Sequence, residues 1–478
     1  MAIVLRTKLT DDERTLLNKL IGRMANQLQA DKRHDAYYEG AQRLKHIGLA
    51  VPEELRMFEL VVNWPCSYVD EVARRQKVKS IYRPGSEIAD PALQEAFTAN
   101  NLAAEVPILA KENMIFGRCF AAVGANEDDK EHPLITVESP LQMACLVNQG
   151  KRRMVAALRK YQDEDGTWVA TLFLPDKTIQ LSMTSSGWEI DEVGGDADVD
   201  PHNLGRVPVV LFLNRRRLGK WRAGTTEMRD VIPITDACAR TLTDLQYGVE
   251  TVAVPKRYAI GVSKGDFVDK EGNPLPAWQS YYQALWATQK SSKDVSIGQL
   301  AGADLSNFHN TVKMYAELAS SVTGLPFRYF GANTANPAAE GAIRADESRV
   351  ISNAEEKNTV LGVGLGWVLG LYEKFRTGEW PNAGEPIAVE WRDPATPTKA
   401  EEADAIVKLN GGTPVLSREG SWDEMGWEEA RKKRERAYFE NEAIDPEVAR
   451  IQRELANDPS QPQPDDPQTG LPVGVLAQ

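Results

Sequence analysis

A chain of 478 residues is too long for one ordinary core and points to about three domains. With 42% apolar and 26% charged residues it has the composition of a soluble globular protein, which excludes a collagen-like or wholly disordered chain. The net charge of −13 argues against a protein that coats nucleic acid through a broad basic face, though not against one that lets DNA slide past ungripped.

The first residues, MAIVLRTKLTDDER, offer only a three-residue apolar run, so no signal peptide is expected. Thr10 followed by Asp11, Asp12 and Glu13 is N-cap and first-turn chemistry. Leu16, Leu17, Leu20, Ile21, Met24 and Leu28 then recur at helical spacing, which predicts a helix over residues 10–34. A second helical stretch starts at Pro52-Glu53, and Pro107 to Phe120 reads as a helix running into a strand. Between Leu134 and Leu213 the pattern changes to short β-branched or alternating runs: ITVESP, MVAALRKYQ, WVATLFLP and VPVVLFLN. Asp165-Gly166 is a hairpin signal between two of them, and Gly194 to Asn203 reads as a polar, aspartate-rich loop. Helices first and strands after make residues 1 to about 220 an α+β unit.

From Thr225 to Thr251 the apolar residues Val231, Ile234, Cys238, Leu242, Leu245 and Val249 step by three or four. That stripe predicts one amphipathic helix of about 40 Å, with Pro233 near its start. Residues 252–304 are irregular: VPKRYAIGV reads as a strand, WQSYYQALWATQ is aromatic, and SIGQLAGADL leads into the next helix. That helix, Leu305 to Thr323, carries Leu305, Phe308, Val312, Tyr315, Leu318 and Val322 on one face and is stopped by Gly324-Leu325-Pro326. Arg328 to Pro337, RYFGANTANP, is a polar loop with little apolar anchoring, in which Gly331, Asn333 and Asn336 allow positive φ. A long helix follows from about Ala338 to Phe375, with Gly362, Gly366 and Gly370 on one face. Its apolar core, Thr359 to Tyr372, is 14 residues with four glycines, against about 20 for a membrane span. WRDPATPT, Trp391 to Thr398, is a breaker-rich join, short helices follow to about Asn441, and the proline-rich end from Asp458 has linker-like composition. From Glu379 onward there are 21 acidic and 11 basic residues, so this stretch carries −10 of the total charge.

Catalytic signals are weak. Gly261-Val262-Ser263-Lys264-Gly265 matches the G-x-S-x-G nucleophile elbow, but a turn rather than a helix follows, and only His309 lies downstream. Gly362 to Gly366 lacks the strand-to-helix phosphate turn of a dinucleotide site. Five histidines and four scattered cysteines (Cys66, Cys119, Cys145, Cys238) have no metal-ligand spacing, so no metal, cofactor or disulfide is expected, and a reducing compartment fits. Arg215-Arg216-Arg217 with Lys220 and Arg222 is the one compact basic cluster, either a solvated turn or a contact for phosphate or an acidic partner.

The serial order of YYEGAQRL, LVVNWPCSYVDEVARR, ENMIFGRCF, ITVESPLQM, HNLGRVPVVLFLNRRR, GTTEMRDVIPITDACARTLTDL, GADLSNF, TGLPFRYFG and VEWRDPATPTKAEEADAIVKL resembles the portal proteins of tailed bacteriophages, in particular long-tailed phages of actinobacteria. The resemblance implies a non-enzymatic virion protein at one capsid vertex, assembled in the host cytoplasm as a ring of about twelve subunits. Double-stranded DNA would pass through it without sequence readout. The terminase large subunit, a head-tail connector, and major capsid and scaffolding proteins would be partners, and no membrane is involved. It also implies a map: wing, residues 1–224; stem helices, 225–251 and 305–325, flanking a clip, 252–304. A tunnel loop over 326–338, a long wing helix with its return strand over 339–394, crown-like helices over 395–457 and the proline-rich tail over 458–478 complete it. By position, Arg328, Gly331, Asn333, Thr334 and Asn336 would face DNA, and Trp278, Tyr281, Tyr282 and Trp286 of the clip would form a docking surface. The alternatives are a serine hydrolase using Ser263, or another virion ring protein such as a connector.

Overall fold

The computed structural model describes residues 8–43, 60–83, 85–86, 89–126, 128–193, 196–218, 224–252, 257–261, 296–299, 306–331, 340–381, 387–395, 399–411, 413–427 and 429–442. The chain forms two compact units, Met1–Ala395 and Thr396–Gln478.

In the first unit, helix α1 (Asp11–Tyr38) starts where the sequence places it. The Thr10 hydroxyl accepts from the Glu13 amide at 3.3 Å, and the Thr10 amide donates to the Glu13 carboxylate at 2.8 Å, a capping box. Helices α2 (Trp64–Ala73), α3 (Pro91–Ala99) and α4 (Leu102–Phe116) follow, with strand β1 (Val78–Tyr82) between α2 and α3. Gly117 then turns α4 into β2 (Arg118–Gly124), the helix-into-strand join expected there.

Two antiparallel sheets carry the unit. β3 (Leu134–Glu138) pairs with β2, and β12 (Val209–Leu213) pairs with β2 on its other side. The larger sheet holds β4 (Met143–Asn148), β5 (Arg153–Gln162), β6 (Trp168–Phe173), β7 (Thr178–Thr184) and β8 (Gly187–Ile190) in successive antiparallel pairs. The β5–β6 turn falls at Asp165-Gly166. The aspartate-rich segment expected to be a loop instead contributes β10 (Asp196–Ala197), which pairs with β9 (Glu192–Val193), and β11 (Val199–Asp200), which pairs with β7. Alternating Val199 against Ile179 on the core side gives even this polar run a reason to extend. One face of the large sheet is closed by α1, whose Leu17 and Leu20 share a core with Leu158, Leu172, Ile179 and Leu181. Arg118 of β2 grips Asp31 of α1 through both carboxylate oxygens at 3.1 and 2.6 Å, tying the helix to the smaller sheet.

The helix predicted over Thr225–Thr251 divides at its start. Glu227–Asp230 is a 3₁₀ turn capped by the Thr226 hydroxyl, and α5 runs from Ile232 to Val252. Pro233 explains the break, because its ring excludes the carbonyl of the preceding helical turn while suiting a helix's first positions. β13 (Arg257–Ile260) fulfils the strand expected there, and β14 (Ser296–Gln299) pairs with it. The sequence read β14 as the approach to a helix, since four residues hold too little pattern to show a strand. α6 (Ser306–Thr323) packs beside α5.

The longest helix, α7 (Glu340–Thr377, 38 residues), returns to strand β15 (Ala388–Trp391), which pairs antiparallel with β1. α7 lies between two sheets at close range. A Cβ on Gly364 would meet the Phe212 ring of β12 at 2.2 Å, and one on Gly366 would meet the Ile387 carbonyl oxygen at 2.3 Å. The Gly362–Gly366 face is thus covered by the chain's own return strand.

The second unit contains α8 (Lys399–Asn410), α9 (Arg418–Glu424) and α10 (Glu429–Glu442). Trp422 stacks against Trp427 and Phe439, with ring centroids 5.7 and 5.8 Å away. Arg418 and Arg431 lie 3.9 Å over Phe439 and Trp427.

Candidate functional site

The site is the root of the α5–α6 pair, where both helices and the loop after α6 are fastened to the α+β body. Its foundation is a crossing of two backbones. Gly117 has φ +78, and a Cβ there would lie 2.6 Å from the Thr225 backbone; one on Gly224 would lie 1.5 Å from the Gly117 carbonyl oxygen. Only glycine lets the segments meet so closely. The Asn214 amide donates to the Gly117 carbonyl at 2.9 Å, and the Thr225 amide donates to the Asn214 carbonyl at 3.1 Å.

Directly after the crossing, Glu227 is buried, with five side chains converging on it, Asn353 of α7 the most distant at 3.4 Å. Tyr68 of α2 donates its hydroxyl at 2.7 Å, Lys357 of α7 its ammonium at 2.7 Å, and Asn214 its amide at 2.9 Å. Arg215 approaches to 3.3 Å and also pairs with Asp230 at 2.8 Å. Burial alone would raise the Glu227 carboxyl, but the Lys357 and Arg215 charges outweigh it and hold the pKa down at about 2. Burial and the Glu227 charge push the Tyr68 hydroxyl far up, so it stays a donor. The result is one ionised knot joining α2, β12, the 3₁₀ turn and α7. Chemically it is a clamp: Glu227 and Tyr68 are buried at its centre, each paired, and the more open Arg215 closes it from outside.

The α6 end is built similarly. The Thr323 hydroxyl accepts from the Leu325 amide at 3.2 Å, and the Ser320 hydroxyl donates to the Leu325 carbonyl at 2.7 Å, so the stop at Gly324 is secured. A 3₁₀ turn, Phe327–Phe330, follows, and Gly331 ends it at φ +86. Phe330 is buried, edge-on to Trp64 with centroids 5.4 Å apart. The segment expected to have little apolar anchoring is therefore anchored over Arg328–Phe330. Arg328 pairs with Glu347 of α7, and Tyr329 donates its hydroxyl to the same carboxylate at 3.2 Å. Arg75, itself buried, donates to the Tyr329 oxygen at 3.3 Å and to the Pro394 carbonyl at 3.2 Å.

Of the residues expected to face DNA, Arg328 and Gly331 thus sit at the loop's root, Arg328 with its charge countered by Glu347. Asn333, Thr334 and Asn336 lie outside the described residues, as do Trp278, Tyr281, Tyr282 and Trp286 of the aromatic stretch. Ser263 is outside them too; Gly261, at φ +83, follows a strand whose partner is antiparallel, not the parallel sheet of a nucleophile elbow. Arg215 leaves the basic cluster for the Glu227 knot. Among the described residues, no group of three or more His, Cys, Asp or Glu is placed to hold a metal ion, and no helix is long and apolar enough to cross a membrane. The four cysteines are free thiols.

The sequence reading missed Glu227 and its partners, although they stand inside quoted motifs: Tyr68 in LVVNWPCSYVDEVARR, Asn214 and Arg215 in VPVVLFLNRRR, Glu227 in GTTEMRD. The signal was the pair of motif glycines, Gly117 and Gly224.

Residues 17–459 match the family model described as "Phage portal protein, SPP1 Gp6-like". The "Portal protein" of Mycobacterium phage D29 is 32% identical over 440 residues, covering 89% of this chain and 88% of that one. The "Portal protein" of Mycobacterium phage L5 is 33% identical over 423 residues, covering 85% and 84%. Among solved structures, one described as "Neck of empty GTA particle computed with C6 symmetry" covers 80% of this chain and 95% of its own, at 14% identity and TM-score 0.43. Another, "Virion of native gene transfer agent (GTA) particle", covers 82% and 99% at 14% identity and TM-score 0.42. The family match leaves the hydrolase alternative without support. The chain belongs to the phage portal proteins, structural components of the bacteriophage virion.

Proposed function

We propose that the protein forms a closed ring of about twelve copies at one capsid vertex, through which genome DNA enters during packaging and leaves at ejection. The observation that carries the ring is on α6. Its buried residues are small, Ala316, Ala319 and Thr323, while Met314, Leu318 and Val322 stand 47%, 46% and 40% exposed. The apolar face read from the sequence, which includes Leu318 and Val322, is thus left partly open, because alanines let the helix approach the core that holds Val231 and Ile232. Val249 of α5 is exposed as well. A lateral copy in a ring covers such a row, and burying it stabilises the contact at roughly 25 cal/mol per Å².

In this reading α5 and α6 are stem helices, residues 252–304 the clip, 395–457 a crown, and 1–224 with α7 the wing. The Glu227 knot fixes the stem root against load along the channel. The loop beginning at Arg328 reaches DNA through its later residues, Asn333, Thr334 and Asn336. Trp278, Tyr281, Tyr282 and Trp286 in the clip dock the terminase large subunit and then the head-tail connector, while capsid and scaffolding proteins meet the wing. Net acidity suits a conduit, since many phosphate contacts would stall the duplex. The chain has no Walker motif, so the motor supplies the energy.

The test is Leu318→Asp combined with Val322→Asp. Both positions are exposed, so the subunit should keep its circular dichroism and lose its cyclic oligomer. A variant that assembles like the parent would remove α6 from the interface.

A further inference from the structure

The basic cluster singled out in the sequence is not absorbed by the stem root. Arg215 turns to Glu227, but Arg216 points elsewhere, into a cleft of about 210 Å³. It shares that cleft with Arg152 from the β4–β5 turn, Arg153 at the start of β5 and Arg206, which precedes β12. Among the described residues, four arginines line the cleft and no aspartate or glutamate does. The floor is apolar, with Trp367 and Leu371 of α7 facing Val209 and Leu211 of β12.

Two of the arginines are held in place by neighbours in the fold, Trp367 and Gly205. Arg206 lies 3.9 Å over the Trp367 ring, which fixes its guanidinium plane against an aromatic face. Arg153 donates to the Gly205 carbonyl, which keeps it beside Arg206. Burial and the neighbouring Arg153 charge both push the Arg206 pKa down. Trp367 is 41% exposed in spite of this packing, so the floor is open to an incoming side chain.

We infer that this cleft is a docking site for an acidic, amphipathic peptide segment of a partner protein, its carboxylates taken by Arg153, Arg206 and Arg216 and an apolar side chain seated on Trp367 and Leu371. Charge complementarity selects the occupant, because a guanidinium fork meets a carboxylate through paired hydrogen bonds. The apolar floor selects against nucleic acid: a duplex is too wide to enter so small a cleft and offers Trp367 nothing apolar. Arginine beside an aromatic is also the composition of interface hot spots. This inference does not depend on the ring.

The test uses the full-length protein and a fluorescein-labelled ten-residue probe alternating paired Asp with paired Leu. Two competitors accompany it, an all-Asp/Ser peptide of equal charge and a short DNA duplex. The probe should bind, and Arg153→Glu with Arg216→Glu, both exposed positions, should weaken it tenfold or more. Trp367→Ala should weaken the Leu-bearing probe and leave the Asp/Ser peptide unchanged. If charge reversal costs the fold, judged by circular dichroism, Arg153→Gln with Arg216→Gln carries the same comparison. With the peptides, three results overturn the inference: no binding to the parent, equal binding by the arginine variants, or equal competition by the Asp/Ser peptide. Displacement by the duplex alone would assign the cleft to nucleic acid instead.

Discussion

Alanine at Gly366 should destabilise the protein although alanine is the better helix former. The substitution gains up to about 1 kcal/mol of helix propensity inside α7. Against that, the new Cβ would lie 2.3 Å from the Ile387 carbonyl oxygen, a backbone atom leading into β15, itself paired along β1. Relief requires the strand to move, and overpacking of this kind costs about 1–3 kcal/mol. With the full propensity gain, the net expectation is a loss of about 0–2 kcal/mol. Two neighbours calibrate it. At Gly370 the nearest atom is Pro381 Cγ at 3.7 Å, an ordinary contact, so alanine there should be neutral or stabilising by up to about 1 kcal/mol. At Gly362 the Trp391 indole nitrogen is 3.1 Å away on a side chain that can shift, so the effect should fall between. Urea unfolding at matched protein concentration, followed by circular dichroism, ranks the three. If Gly366→Ala unfolds at the same or higher urea than Gly370→Ala, α7 is not held against its return strand as described.

Glu227→Gln should cost about 3 kcal/mol, because it leaves the largely covered Lys357 ammonium, 11% exposed, beside a neutral partner. The depressed carboxyl pKa adds a pH signature: its stabilisation is fully present above the unfolded value near 4.5 and is lost as pH falls through about 2. The urea-midpoint gap between parent and variant should therefore be constant above about pH 5 and shrink below it; a gap that grows on acidification would contradict the ionised knot. Phe330→Ala should lower stability by about 3–5 kcal/mol, since that ring is buried against Trp64, and a surface-like change below about 0.5 kcal/mol would show that the loop root is not anchored. Deleting Ala332 to Ala335 should leave assembly intact and abolish packaging or retention of DNA in particles; normal full-length genomes in such particles would make the loop a mere connector.

Local chemistry was legible wherever neighbours in sequence are neighbours in space. Thr10 with Glu13 announced α1, Asp165-Gly166 the β5–β6 turn, and Gly324 the end of α6. What tertiary packing decides was not. The apolar row of α6 fixes that it is a helix but not which side faces the core; the alanines won because they allow closer approach. Nothing beside Glu227 in the sequence marks it, because only partners 159 and 130 residues away, Tyr68 and Lys357, make it a buried ion. The Arg328 charge looked available for DNA until Glu347, on the far side of the loop, countered it. β14 is too short to betray its pairing.

The most direct measurement of the central claim is the mass and end-on view of purified full-length protein by cryo-electron microscopy. The account predicts a cyclic particle with a central channel, about twelve copies of 53.0 kDa, or roughly 640 kDa. A single 53.0 kDa species at every concentration and salt, with no ring in any view, would contradict it.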